Sequence, residues 1–140
     1  MKLIKFQIVT PERMVLEENI RQVSVPTKDG EITVLPEHIP LVAGLLPGVV
    51  EIKTEKGETE IMAISGGFIE VQKDKVVILA DTAERGHEID LARAEEARRR
   101  AEDLKEKAEH GQFADISAKI EKELARTKAV KRWKKIKNIS

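Results

Sequence analysis

The first half of the chain alternates apolar and polar residues in short runs that are separated by turn sequences. In residues 2–9, Ile4, Phe6 and Ile8 fall on one face, which predicts a strand buried on that side. Lys28-Asp29-Gly30 predicts a tight turn, because glycine after aspartate supplies the positive φ that hairpins require. Short strands at this spacing predict a β-sandwich or closed barrel of roughly 85 residues. Its strands are predicted over residues 2–9, 13–17, 20–25, 49–54, 59–65, 68–71 and 75–80.

Proline and glycine mark two special backbone positions in this half. Pro36 and Pro40 exclude helix and central strand positions, so residues 36–40 are predicted to form a rigid surface loop. Gly66-Gly67 predicts a kink or bulge where another backbone comes close.

From Asp90 onward, the apolar residues recur three and four positions apart, which predicts helix. Asp90 suits the N-cap position, and Gly111 predicts the end of the first helix. A second helix, over residues 113–137, would complete an antiparallel hairpin. The predicted apolar sides are Ala94, Ala97, Ala101, Leu104 and Ala108 in the first helix, and Phe113, Ile116, Ile120, Leu124 and Val130 in the second. The predicted fold is an N-terminal β-sandwich or barrel, residues 1–86, followed by a C-terminal two-helix hairpin, residues 87–140.

The seam of this hairpin is rich in alanine, which buries little area on packing. A buried methylene is worth about 0.8 kcal/mol, against about 1.5–3 kcal/mol for a whole leucine or isoleucine side chain. The abundant Ala, Glu, Lys, Arg and Leu favour each helix by itself. The pattern therefore predicts helices that persist while their docking is marginal, as in an element that opens and refolds. A stably packed alanine coil is the alternative.

Composition narrows the functional classes. The chain of 140 residues has no cysteine, which excludes disulfides and thiolate metal sites. The longest apolar run, residues 41–46, is far short of the roughly 20 residues that span a bilayer. We therefore expect a soluble, cytoplasmic chain that reaches a membrane only through partners, with no direct insertion into the bilayer.

Charge balances overall, at 25 basic against 25 acidic residues, but the C-terminal end is basic. No acid follows Glu123, whereas seven cations do: Arg126, Lys128, Lys131, Arg132, Lys134, Lys135 and Lys137. Such a tail is suited to nucleic acid, a lipid surface or an acidic protein face. A solvated helix end, whose cations favour the C-terminal dipole, is the alternative.

No pattern of catalytic residues stands out. His38, His87 and His110 lack metal-ligand spacing, and no serine lies in a nucleophile elbow. The start of the first helix is a candidate anion site, because it offers free N–H groups with Arg93 one turn in and Arg100 two turns further on. An ordinary capped helix start with Glu–Arg pairs is the alternative there.

Two segments carry a family resemblance. They are Gly30-Glu31-Ile32-Thr33-Val34-Leu35-Pro36-Glu37-His38-Ile39-Pro40-Leu41 and Ser65-Gly66-Gly67-Phe68-Ile69-Glu70-Val71. With their Leu-Pro-x-His-x-Pro and Gly-Gly-Phe-x-Glu-Val elements, in this order and spacing, the chain resembles the epsilon subunit of the rotary proton-translocating ATP synthase. Thr33 departs from the family, which often has glycine there.

The resemblance implies a non-catalytic subunit of the central stalk that links the catalytic head to the membrane ring. The sandwich would bind the gamma subunit and the c subunits of the rotor ring, with Glu31, Glu37 and His38 facing the ring. The hairpin would inhibit ATP hydrolysis by extending toward the catalytic beta and alpha subunits. Its basic residues for that contact are Arg126, Lys131, Arg132, Lys134 and Lys135. The protein would then lie peripherally on the cytoplasmic face of the cell membrane, without binding nucleic acid.

The same resemblance implies ATP as a regulatory ligand that stabilises the folded hairpin, with no metal required. Ile89-Asp90-Leu91-Ala92-Arg93-Ala94 matches the family pattern Ile/Leu-Asp-x-x-Arg-Ala. Lys128 stands where an arginine is common, and lysine cannot make the bidentate contact of arginine. The implied ATP-binding residues are Glu84, Ile89, Asp90, Arg93, Ala94, Arg100, Lys128 and Arg132. The alternative from the residues alone is a β-sandwich interaction module whose basic helical tail binds nucleic acid.

Overall fold

The structure is a computed structural model that describes residues 2–107 and 113–137. Its strands are β1 (Ile4–Val9), β2 (Met14–Thr27), β3 (Gly30–Val34), β4 (Leu41–Leu45), β5 (Gly48–Thr54), β6 (Thr59–Ile64), β7 (Gly67–Val71), β8 (Lys75–Ala80) and β9 (Ala83–Arg85). A short 3₁₀ helix, Gly86–Glu88, leads to α1 (Leu91–Lys107) and α2 (Phe113–Ile136). The predicted fold class, a β-sandwich followed by two packed helices, is confirmed.

The strands form one sheet that closes on itself. Their order is β1-β8-β7-β4-β2-β5-β6-β9, with β3 on β2, and β1 also pairs with β2. The β1–β8 pairing is parallel, with Lys5 opposite Lys75, whereas the other recorded pairings are antiparallel. The long strand β2 pairs with β1, β3, β4 and β5, so a single strand links a large part of the sheet.

The prediction of two strands over residues 13–17 and 20–25 is wrong, because β2 is continuous. Its pairing register with β5 shifts between Ile20 and Gln22, where one residue is extra. The buried positions therefore change parity, from Leu16 and Ile20 to Val23 and Val25. The strands β3, β4 and β9 were not predicted, since β3 buries only Val34, β4 exposes Val42 without alternation and β9 has only three residues.

Two hydrophobic clusters hold the molecule together. The larger fills the sandwich and includes the predicted inward residues of β1, Ile4, Phe6 and Ile8, each at most 2% exposed. The smaller, here called the docking cluster, joins the outer face of β5 and β6 to the helices. It consists of Val49, Ile61, Ala63, Ile89, Ala94, Ala129 and Val130.

The helices form two successive layers on the sandwich. α2 packs on β5 and β6, and α1 packs mainly on α2. Ala94 and Ala101 are buried in the seam, as predicted, but Leu104 and Leu124 are 55% and 43% exposed. Val130 is buried as predicted, but the rest of the buried side of α2 is Ala125, Thr127 and Ala129, because α2 lies between the sheet and α1. Ala108, His110 and Gly111 lie outside the described residues. Within residues 2–107 and 113–137, the structure has no helix with the length and apolarity to cross a membrane.

Candidate functional site

The junction between the sandwich and the hairpin, residues 86–90, contains the N-cap of α1 and packs against α2. The Asp90 Oδ1 atom accepts a hydrogen bond from the Arg93 backbone N–H at 3.1 Å, which confirms Asp90 as the N-cap. Ile89 is 7% exposed and belongs to the docking cluster. Gly86 is buried, and a Cβ atom there would stand 3.3 Å from the Ala129 carbonyl oxygen of α2. The junction backbone and α2 are therefore in close contact.

Two of the three arginines assigned to ATP, Arg93 and Arg100, lie on the solvent face of α1. The side chain of Arg93 is 86% exposed, with its Nε atom 3.8 Å from Asp90 Oδ2. The Arg100 side chain is 71% exposed and forms an ion pair with Glu96, which lowers the pKa of Glu96 through the hydrogen bond and the arginine charge. Ala94, by contrast, is fully buried in the seam. Both guanidinium groups are thus accessible to an anion from solvent.

Glu84, another residue assigned to ATP, is engaged in an ion pair that joins β9 to α2. The Arg126 Nε atom lies 3.0 Å from Glu84 Oε1, and Arg126 Nη1 lies 2.8 Å from Glu123 Oε2. Burial alone would lower the pKa of Arg126, but the hydrogen bonds and charges of Glu123 and Glu84 outweigh it and raise the pKa. We call these three residues the Arg126 latch. The sequence pattern does not reveal this latch, because Glu84 and Arg126 are 42 positions apart.

The remaining cations of α2 are distributed around the helix. Lys128 is exposed, whereas Arg132 Nη1 lies 3.7 Å from Glu51 Oε2 of β5. Lys131 Nζ lies 3.8 Å from Glu95 Oε1 of α1. Three of the basic residues assigned to the inhibitory contact therefore have partners within the folded chain, namely Arg126, Lys131 and Arg132.

The proline-bounded loop presents apolar and polar side chains at one end of the sandwich. Ile39 is 75% and Leu35 52% exposed, and Glu31 is exposed on β3. Glu37 adopts a φ of 65° and pairs with Lys2, whose hydrogen bond and charge lower the pKa of Glu37. His38 Nδ1 lies 2.7 Å from the Ile39 carbonyl oxygen. The predicted surface loop is confirmed.

A row of exposed apolar side chains crosses the sheet. Phe68 of β7 lies opposite Leu79 of β8, Leu79 lies opposite Val9 of β1, and Val9 lies opposite Met14 of β2. Phe68, Leu79 and Met14 are 57%, 51% and 47% exposed. We call Phe68, Leu79, Val9 and Met14 the apolar row. Contiguous exposed apolar side chains of this kind are typical of a protein interface.

Comparison with known proteins identifies the family. The model of the ATP synthase Delta/Epsilon chain β-sandwich domain matches residues 3–86. The ATP synthase epsilon chain of Anoxybacillus flavithermus is 52% identical over 103 residues, which cover 73% of this chain and 75% of the relative. The ATP synthase epsilon chain of Bacillus licheniformis is 45% identical over 132 residues, or 94% of this chain and 96% of the relative. The chain belongs to the ATP synthase epsilon family.

Solved structures support the fold of this epsilon chain. A chain in a cryo-EM structure of the Euglena gracilis mitochondrial ATP synthase, comprising OSCP, F1 and the c-ring, superposes with a TM-score of 0.80 at 24% identity. The match covers 89% of the present chain and 79% of that chain. As a family member, this epsilon chain is a non-catalytic accessory subunit of the ATP synthase central stalk. Within the described residues, no three His, Asp or Glu side chains are grouped to hold a metal ion.

Proposed function

We propose that residues 1–86 couple the catalytic head of the ATP synthase to its membrane ring, and that residues 87–140 form a regulatory hairpin. On this proposal the sandwich binds the gamma subunit and the c subunits of the rotor ring. The observation that carries the regulatory part is the small docking cluster, to which α2 contributes two buried residues, Ala129 and Val130. Because this contact is small, the hairpin can separate from the sandwich while the sandwich stays folded.

The apolar row supports the contact with gamma. Burying Phe68, Leu79 and Met14 against a partner would remove exposed apolar area from water. The loop with Glu37 and His38, together with Glu31, would face the rotor ring, where two prolines limit bending under torque. The subunit would then sit peripherally at the cytoplasmic face of the cell membrane, held there by its partners.

The basic residues of α2 support an inhibitory contact with an acidic face of the catalytic beta subunit, with alpha alongside. The residues proposed for it are Arg126, Lys131, Arg132, Lys134 and Lys135. Extension of the hairpin would exchange the internal partners Glu84, Glu123, Glu95 and Glu51 for acidic groups of that subunit. Membership of the epsilon family favours this protein partner over nucleic acid.

ATP is proposed as the regulatory ligand that favours the folded hairpin, with no protein-bound metal. The proposed contacts are Glu84, Ile89, Asp90, Arg93, Ala94, Arg100, Lys128 and Arg132. These residues come from β9, the junction and both helices, so the complete set exists only when the hairpin is folded. A ligand shifts such an equilibrium by its difference in affinity for the two states.

Deletion of the residues after Glu88 tests the inhibitory role. Because the deletion removes both helices and leaves every sheet pairing, the shortened subunit should still enter a reconstituted catalytic complex. The complex should then hydrolyse ATP faster than one with the full chain. An unchanged hydrolysis rate, with the shortened subunit present in the complex, would refute the inhibitory role.

Titration of ATP into the full chain tests the ligand site separately. Backbone NMR signals of Ile89 and Ala94 should shift saturably, and Arg93→Ala should weaken the binding. Arg99→Ala is the matched control, since Arg99 is also exposed on α1 but lies outside the proposed set. Equal effects of the two variants would mean that ATP responds only to the general positive charge of the helix.

A further inference from the structure

A groove of about 440 Å³ lies between α1, α2 and the turn that joins β4 to β5. Its apolar lining includes Leu46, Pro47, Leu124 and Ala125. Leu46 and Leu124 are 45% and 43% exposed, so both offer apolar area to an occupant. The volume falls within the range of about 300–1,000 Å³ that is usual for small-molecule sites.

Two buried polar atoms in the lining of this groove lack partners. Thr127 is 4% exposed, and its hydroxyl forms no hydrogen bond with any described residue. The Arg98 Nε atom is also buried without a hydrogen bond in the described part of the chain, and Glu102 Oε1 stands 3.9 Å away. Because buried polar groups are nearly always hydrogen-bonded, this pair of donors indicates a site for an acceptor.

The charged side chains that line the groove favour an acceptor with a negative charge. Arg98, Lys128 and Lys131 contribute three cations, against the single carboxylate of Glu121. The ion pair of Lys131 with Glu95 is long, at 3.8 Å, so it leaves the ammonium group able to turn toward a ligand. An anionic headgroup is therefore favoured next to the helices, beside the apolar lining of the groove.

We propose that this groove binds an amphiphilic anion, a molecule with a hydrocarbon body and a single carboxylate or phosphate head. The body would cover Leu46 and Leu124. The head would accept hydrogen bonds from Thr127 and Arg98 once these two side chains rotate toward the groove. The site differs from the proposed ATP set, whose arginines Arg93 and Arg100 lie on the solvent face of α1, and it shares only Lys128 with that set. Its walls come from the sandwich and from both helices, so the groove exists only while the hairpin is folded. Binding of the anion therefore stabilises the folded hairpin by mass action. The binding itself is independent of the proposed function, but its regulatory role rests on that function.

Decanoate and decyl phosphate, both below their micelle concentrations, are the probes. In NMR titrations of the full chain, each should bind saturably and shift the signals of Leu124, Thr127 and Arg98. Loss of one charge-assisted or buried hydrogen bond should raise Kd about tenfold in Arg98→Gln and in Thr127→Val. Thr127→Ser should restore binding, and Arg99→Gln, an exposed neighbour on α1, should leave Kd unchanged.

Three results would overturn the proposal. Decanol binding as tightly as decanoate would show a purely apolar groove, and inorganic phosphate shifting the same signals equally would show a simple anion site. Saturable ATP binding that Arg98→Gln abolishes, with no binding of decanoate or decyl phosphate, would assign the groove to the nucleotide instead. The hydrolysis test with the hairpin deletion is independent, since it requires no ligand in the groove.

Discussion

Gly67 shows how one residue can fix the backbone of the sandwich. Its φ is 141°, a conformation that L side chains rarely adopt, and an added Cβ would overlap the Leu79 carbonyl oxygen and stand 2.9 Å from the Ala80 Cα atom. The obstructing atoms are backbone, so no side-chain rotation can relieve the clash.

Gly67→Ala should therefore destabilise the sandwich strongly, by about 3 kcal/mol or more, since backbone strain and a steric clash add. Urea denaturation followed by circular dichroism measures the loss. Gly30→Ala is a useful comparison, because Gly30 has a positive φ of 119° but no atom of the described residues lies within 4 Å of its Cβ position. Equal losses in the two variants would show that backbone conformation, and not the close approach of β8, sets the requirement at Gly67.

Glu18 gives a prediction about pH. Its pKa is raised by burial, and then by the charge and hydrogen bond of Glu60, while Arg85 lowers it by a smaller amount. A raised folded-state pKa means that Glu18 contributes stability below its unfolded pKa, and that this contribution is lost as pH rises through the folded pKa. Glu18→Gln should consequently raise the Tm more at pH 7 than at pH 4. Glu12→Gln, an exposed carboxylate, is the control, and a pH-independent gain in Glu18→Gln would contradict the assignment.

At the scale of single elements, the Arg126 latch is the contact that ties α2 to β9. The side chains of Arg126 and Glu123 are 21% and 13% exposed, so removal of the guanidinium leaves two carboxylates with reduced solvation. Arg126→Met should weaken hairpin docking by about 1–3 kcal/mol. Hydrogen exchange should accelerate in α1 and α2 while β1 to β8 stay protected. Lys135→Met, at an exposed position of α2, controls for the loss of one charge, and unchanged helix exchange in Arg126→Met would show that the latch is dispensable.

The elements differ in how much of them the sequence could reveal. Alternation located β1 and β8, because each has one face in the core and one outside. The turn sequence at residues 55–58 located β5 and β6, whose outer face is also buried, beneath the helices. Alternation failed at β2, where the register shift after Ile20 reverses the alternation within one strand. Alternation thus predicts a strand where one of its faces is buried and its hydrogen-bond ladder is regular.

Helix periodicity found both helices and the Asp90 cap, but of the buried side of α2 it correctly placed Val130 and missed Ala125, Thr127 and Ala129. Leu124 looked like a core residue, yet it lies at the groove, whereas Thr127 is buried. A helix with two neighbours buries two stripes, and small residues lie where the helices approach closely, so hydrophobicity alone does not locate the contact. The Arg126 latch and the groove depend on tertiary contacts that no local spacing contains.

For the whole molecule, the apolar row gives a prediction about assembly. Phe68→Glu should leave the Tm of the isolated chain nearly unchanged, because Phe68 is already 57% exposed, but should abolish co-purification with the gamma subunit. A carboxylate buried in an interface without a partner is strongly unfavourable. Gln72→Glu adds the same charge in the exposed β7–β8 turn and should have no effect on co-purification. Retained binding in Phe68→Glu would place the gamma contact elsewhere.

The parallel pairing of β1 with β8 has a consequence for the folding of the chain. The sheet closes only when residues near position 5 meet residues near position 75, so a ribosome must release most of the sandwich before its first strand finds its final neighbour. Such a non-local closure predicts folding on the millisecond-to-second timescale of β-rich domains. Since β8 ends at Ala80 and α1 begins at Leu91, the strands that close the sheet are synthesised before the hairpin. The hairpin then docks on a preformed surface. When it later separates from that surface, the sandwich does not have to repeat its slow folding step.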